Sequence, residues 1–229
     1  MASEVTIRQV NRALQELSDA AKAEFLEGFS RIDPRLHYQR NQFVREFFPG
    51  LIEKYGIIAS SVGADVFEAE ARELGIRPSV ELAPGVNAER ASARLMGELN
   101  MTTTLATALQ LTDELVRQPY RSTFQDSAYR SGAGWARVPV SDTCQFCIML
   151  ASRGGVYASE EIAEFGFSGK KYHGDCDCVP VLVRGPEDYP EGYDPDAMYE
   201  DYLRARDAVG DYFDTRSILA KMREMYGGH

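Results

Sequence analysis

Between residues 4 and 30 the apolar positions Val10, Leu14, Leu17, Ala21 and Phe25 recur at helical spacing, while Arg8, Arg12, Glu16, Asp19 and Lys22 cover the other faces. The pattern predicts an amphipathic helix, stopped by Asp33-Pro34. A second helical stretch begins near Gln39, carries Phe43 and Phe47, and is expected to bend or break at Pro49-Gly50. Residues 51–74 put Tyr55, Ile58, Val62, Val66 and Ala69 on one stripe. Gly75, Ile76 and Pro78 then form a helix stop: a glycine able to turn left-handed, an apolar residue and a proline. After a proline-bounded connection, Asn87 is placed to cap a helix holding Ala91, Leu95 and Leu99, and another runs through Leu105, Leu109, Leu111 and Leu115 to Gln118-Pro119. Residues 101–104 either divide these two helices or join them.

The texture changes after Arg130. Gly132 and Gly134 lead into a short strand over residues 135–140, residues 179–183 read as another, and all four cysteines lie between them. Beyond Arg184 the chain turns acidic and tyrosine-rich, with Pro186, Pro190 and Pro195 close together, as in a linker or a wrapping arm. Residues 196–226 then predict one or two helices, with Tyr199, Leu203, Ile218, Leu219 and Met222 as packing residues. The expected architecture is mainly α: a helical body over residues 1–130, a small β-containing cysteine/histidine module over 131–183, and an acidic helical tail over 184–229.

Composition narrows the function. A chain of 229 residues with 44% hydrophobic positions can bury a real core, as one medium domain or one domain plus a satellite. A formal charge of -10 opposes general coating of duplex DNA, which runs on lysine and arginine. Lys170-Lys171-Tyr172-His173 is the one concentrated basic patch, a candidate contact for a nucleic-acid backbone or an acidic partner. No apolar run approaches the roughly 20 residues of a membrane helix, and the amphipathic start does not read as a signal peptide. The expected compartment is therefore a cytoplasm, where thiols stay reduced and clustered cysteines point to metal binding or catalysis.

The informative cluster is Cys144-Gln145-Phe146-Cys147, a gap, and then His173-Gly174-Asp175-Cys176-Asp177-Cys178. Two thiolates separated by two residues can face one ion from a tight turn, and a second turn offering histidine and cysteine can complete a tetrahedron. Sulfur and imidazole donors favour Zn2+ over magnesium or calcium, which take oxygen ligands. Five candidates compete for four positions: the favoured set is Cys144, Cys147, His173 and Cys176, with Cys178 either replacing one of them or buried as a plain thiol. The intervening segment holds Gly154, Gly155, Gly166, Gly169 and Gly174 but few large apolar residues. Ordering it costs about 1 to 2 kcal/mol per residue, and a structural zinc, worth on the order of 10 kcal/mol in small fingers, offsets much of that cost. Two alternatives stay open, reduced core cysteines beside an incidental histidine and a disulfide formed in an oxidising medium.

Catalytic readings fit less well. A zinc deaminase needs a histidine two residues before a glutamate and a proline ahead of its C-x-x-C turn; here Gly174-Asp175 follows His173 and Thr143 precedes Cys144. A Cys/His nucleophile is chemically feasible, yet four clustered cysteines suit a ligand set better. Asp175 and Asp177 are placed to adjust charge around a metal, Ser152-Arg153-Gly154-Gly155 reads as a turn, and His37 and His229 have no evident partner. No catalytic residue is assigned, and the chain is not expected to be an enzyme.

The C-x-x-C turn, the segment Met149-Leu150-Ala151-Ser152-Arg153-Gly154, and Tyr172-His173 leading into Cys176-Asp177-Cys178 resemble the MuF-like phage minor head proteins, especially those of actinobacterial phages. Trp135-Ala136-Arg137-Val138-Pro139 and Val179-Pro180-Val181 fit the same likeness, which covers roughly residues 135 to 183. The resemblance implies a virion protein present in few copies, at the portal vertex or head interior, assembled in the bacterial host cytoplasm and acting in head assembly and genome packaging or delivery. Its implied partners are the portal protein, the major capsid protein or other head proteins, with packaged double-stranded DNA as a further contact and no membrane. Many relatives carry an added protease or toxin domain, for which this chain is too short. A zinc-dependent enzyme or toxin-like effector delivered with the genome is the alternative.

Overall fold

The computed structural model describes residues 4–100, 105–140, 143–155 and 176–227. It opens with α1 (Glu4–Ser30), which buries Ile7, Val10, Leu14, Ala21 and Phe25 along the stripe the sequence predicts. Next, α2 (His37–Gln42) passes through a π-helical turn (Phe43–Phe47) into α3 (Phe48–Glu73). The break expected at Pro49-Gly50 is not there. Pro49 lies in the first turn of α3, and the irregularity falls just upstream, where the Phe48 N–H reaches back to the Phe43 carbonyl. A proline ring presses on the carbonyl four residues before it, and the wider π turn gives that ring room. The same turn sets Phe43 and Phe48 edge-on to Phe25, with ring centroids 5.2 Å and 5.8 Å away.

The buried face of α3 is rotated from the expected stripe. Tyr55 is buried, but Ile58 and Ala69 are exposed and Val62 and Val66 only half-buried; Gly56, Ala59, Ser60, Gly63, Phe67, Glu70 and Ala71 are buried instead. Small residues win because this face meets another helix at close range. A Cβ on Gly63 would lie 2.6 Å from the Tyr120 carbonyl oxygen, and one on Gly56 would lie 3.2 Å from Cγ of Pro119.

That partner is α5 (Leu105–Arg130), which follows α4 (Ala88–Asn100). Asn87 caps α4 as expected, its Oδ1 accepting the Arg90 N–H at 2.9 Å. Residues 101–104, where the two helices meet in sequence, lie outside the described residues. The expected end of α5 at Gln118-Pro119 is overturned, because the helix runs on through Pro119 to Arg130. An interior proline costs about 3 kcal/mol, and here it packs directly against α3, so tertiary burial outweighs local propensity.

Although rich in polar residues, α5 is buried on several sides. Asp113 accepts hydrogen bonds from Ser18 Oγ at 2.6 Å and Arg117 Nε at 2.9 Å, and Lys22 Nζ lies 3.5 Å away, tying α5 to α1. The hydroxyls of Thr123, Ser127 and Ser131, one helical turn apart, accept the backbone N–H groups of Ala83, Glu81 and Ser79. Each step of four along the helix thus meets a step of two along an extended chain, laying the α3–α4 connection against α5.

The strands are β1 (Gly134–Val138) and β2 (Val179–Val183), paired antiparallel with Trp135 opposite Leu182 and Arg137 opposite Pro180. Both faces of this ribbon are covered. Ala136, Val138, Val179, Val181 and Val183 join a cluster with Ile7, Val10 and Leu14 of α1, while Trp135 and Leu182 join one with Phe67 and Phe124. Helix α6 (Gln145–Ala151) lies between the strands in sequence. The chain after β2 winds back over it, with Tyr193 Oη donating to the Ala151 carbonyl at 2.6 Å.

A hairpin of α7 (Pro195–Val209) and α8 (Thr215–Tyr226) closes the structure. Asp194 and Asp214 cap these helices through their side chains, and Gly210, at φ 74°, ends α7. Ala205, Ile218 and Met222 form its core with Ile148 of α6. Of the expected packing residues, Ile218 and Met222 are buried and Leu203 and Leu219 half-buried, whereas Tyr199 is exposed. The mainly helical fold with a small strand-bearing module is as the sequence predicts.

Candidate metal centre

Cys144 has extended backbone and caps α6, and its carbonyl accepts the N–H groups of Cys147 at 2.9 Å and Ile148 at 3.1 Å. This tight turn sends two sulfurs to one side. Cys176 and Cys178 come from the residues immediately before β2. The two segments are tied together by Thr143 Oγ1, which donates to Asp177 Oδ1 at 3.2 Å.

The four cysteines form a buried cluster of their own, with Phe146 packed against it. All four are reduced cysteines, and Cys147 and Cys176 Sγ are 3.4 Å apart. The sulfurs of Cys147, Cys176 and Cys178 all lie within 4.8 Å of one another. Zinc–sulfur bonds of about 2.3 Å in a tetrahedron put sulfurs about 3.8 Å apart. The spacing observed brackets that edge, so the donor set fits a metal ion of zinc's size and softness. His173 and Asp175 lie outside the described residues, as does Lys170-Lys171-Tyr172.

The electrostatics of the thiols are unequal. Hydrogen bonding with Cys144, Cys176 and Cys178, and then burial, push Cys147 far above the ordinary thiol range. Cys176 is held far below it, by hydrogen bonds with Cys147 and Cys178 and by the positive charges of Arg121 and Arg137. For Cys178 the Cys147 hydrogen bond favours the thiolate, but the Cys176 hydrogen bond, burial and the Cys176 charge drive it well upward. Arg121 and Arg137 thus favour thiolate character at Cys176. A divalent ion would allow further thiolates to form.

Two residues that the sequence reading passed over stand beside this centre. Arg121 of α5 is 1% exposed and donates through Nη2 to the Cys176 carbonyl; Arg137 of β1 is fully buried. The available signal was Arg137 itself, a charge inside an apolar strand flanked by Trp135, Ala136 and Val138. Ser152-Arg153-Gly154-Gly155 is a turn, as expected, with Gly154 at φ 63° and the Gly155 N–H donating to Tyr189 Oη.

The family described as VG15 protein matches residues 1–205. The chain belongs to the VG15 family. This VG15 chain is a phage protein, and the match takes in the helical body, both strands and all four cysteines. No curated protein and no solved structure matches it. Among the described residues, no helix of the VG15 protein is long and apolar enough to cross a membrane.

Proposed function

We propose that this phage protein is a minor structural component of the phage head, of the MuF-like kind, and that its cysteine cluster holds a zinc ion for structure rather than catalysis. The observation that carries the structural role is burial. Cys144 is 8% exposed and Cys147, Cys176 and Cys178 are each 1% exposed, which suits a closed site of protein ligands better than a catalytic one keeping a position open for water or substrate. Membership of a phage gene-product family and the motif likeness over residues 135 to 183 support the head role.

On this reading the zinc ties the start of α6 to the residues just before β2, the helical body meets portal or capsid subunits, and no chemical step is performed. Its place is the virion, after assembly in the host cytoplasm. The decisive experiment combines elemental analysis of the purified chain with its location in assembled particles. About one zinc per chain, in protein found beside the portal ring or inside the head, is the expected result. Protein absent from virions, or a metal-dependent hydrolytic activity with water on the ion, would overturn it.

A further inference from the structure

Cys176 and Cys178 are separated by one residue just ahead of β2, the spacing that puts two side chains on one face of an extended chain. Their sulfurs belong to the same group as that of Cys147. Cys144 lies outside that group of three but shares the buried cluster and hydrogen-bonds with Cys147, which brings a fourth sulfur to its edge. Four thiolates on one divalent ion carry a double negative charge, and burying such charge costs several kcal/mol per ion unless opposite charge sits beside it.

Two guanidinium groups meet that need. Arg121 reaches the centre from α5, donating to the Cys176 carbonyl. Arg137 sits opposite Pro180 on β1, and by the pleat the position two residues before Pro180 is its diagonal neighbour on the same face; that position is Cys178. Both arginines are essentially inaccessible to water, and each brings a planar guanidinium group to the buried site.

Resting on the metal reading above, we infer that the ion is held by Cys144, Cys147, Cys176 and Cys178, and that Arg121 and Arg137 are built-in counter-charges to this tetrathiolate. His173 is then not a ligand. The arginines bind no metal; they position and neutralise the thiolates, and through them α5 and β1 join the metal-bound unit.

Cobalt substitution of the full chain tests the ligand set, because thiolate-to-cobalt charge-transfer intensity reports the number of sulfurs bound. The His173→Ala variant is expected to give the wild-type spectrum, and Cys178→Ser to lose charge-transfer intensity. A spectrum altered by His173→Ala and untouched by Cys178→Ser would overturn the four-sulfur set while leaving a metal site. Absence of any tetrahedral cobalt spectrum in the wild type would overturn the metal reading itself.

Chelator competition tests the counter-charges. Arg137→Gln and Arg121→Gln are each expected to weaken zinc binding by roughly 10- to 100-fold, with Arg137→Lys retaining most of the affinity. Equal affinity in the charge-neutral and charge-retaining variants would overturn that part. Should a Gln variant not fold, Arg137→Lys compared with wild type across salt concentrations gives the second readout: parallel affinities are expected, and a collapse of the lysine variant overturns the charge argument.

Discussion

Glu70, near the end of α3, accepts the backbone N–H of Leu182 in β2 at 2.7 Å. In a two-stranded ribbon each strand has one edge without a neighbour, and this carboxyl group covers such an edge group at a buried position. Burial is the main influence on it and raises its pKa from 4.5 to about 8; the Leu182 bond works the other way and Glu73 adds to the rise.

A pH dependence follows from that shift. Between the unfolded value of 4.5 and the folded value near 8, the folded chain binds a proton that the unfolded chain releases, so this group makes stability fall as pH rises through the window. Glu70→Gln keeps an oxygen for Leu182 and removes the proton linkage. The variant is expected to be more stable than wild type above the window by about 5 kcal/mol, taking about 1.4 kcal/mol per unit, with the difference shrinking toward acid. Urea denaturation across the window measures this, and a wild type that is the more stable form at its alkaline end would refute it.

The opposite sign holds at Asp113. Burial works against ionisation there, but Arg117, the Ser18 hydrogen bond and Lys22 outweigh it and keep the carboxylate below 3.8. Its contribution is present above the unfolded value and is lost as pH falls through the lower folded one. Asp113→Ala leaves Arg117 buried without this carboxylate and is expected to cost about 3 to 5 kcal/mol. The paired change Asp113→Leu with Arg117→Met should recover much of that loss, and denaturant midpoints of the wild type and the two variants decide it.

At the crossing of α3 and α5, Gly63 leaves no room for a side chain. Gly63→Ala puts a methyl group against the Tyr120 backbone carbonyl, which cannot swing aside, at an expected cost of about 1 to 3 kcal/mol. Gly56→Ala meets only the Pro119 ring, at 3.2 Å, and should cost less. Thermal melts of the two variants give the order, and a Gly56 variant that melts first would contradict this account.

The hydroxyl ladder on α5 is open to hydrogen exchange. Ser127→Ala removes the acceptor for the Glu81 N–H, now 3.3 Å from it, while leaving the bonds at Ala83 and Ser79. Faster exchange confined to Glu81 is expected, at a stability cost of about 1 kcal/mol. Unchanged exchange at Glu81 would show that the hydroxyl does not hold that amide.

Where local rules and tertiary packing agree, the chain was readable. The α1 stripe, the Asn87 cap, the Gly75 stop and both strands follow from spacing and turn chemistry alone, and strand β2 spans the residues expected of it. Reading failed where contacts between distant segments decide. The α3 face turned because Gly56 and Gly63 admit α5, a fact no hydrophobic count along α3 contains. Pro119 stayed helical because of what it packs on.

At the candidate metal centre, the C-x-x-C turn and the second cysteine pair announced themselves by spacing, and the structure gathers all four in one buried cluster. Arg121 was silent, since arginine in a helix reads as solvated surface, and Arg137 gave only the hint of a charge inside an apolar strand. Only the fold shows that their charges have been drawn inside.

The pairing of the α1 stripe with the strand ribbon also bears on how the chain is made. Ile7, Val10 and Leu14 share a cluster with Val179, Val181 and Val183. A ribosome adding roughly 5 to 20 residues per second exposes the first helix well before its cover has been translated. For that interval, about 10 to 30 seconds at this rate, the newborn chain displays an oily seam, which is the moment when a chaperone has most to hold.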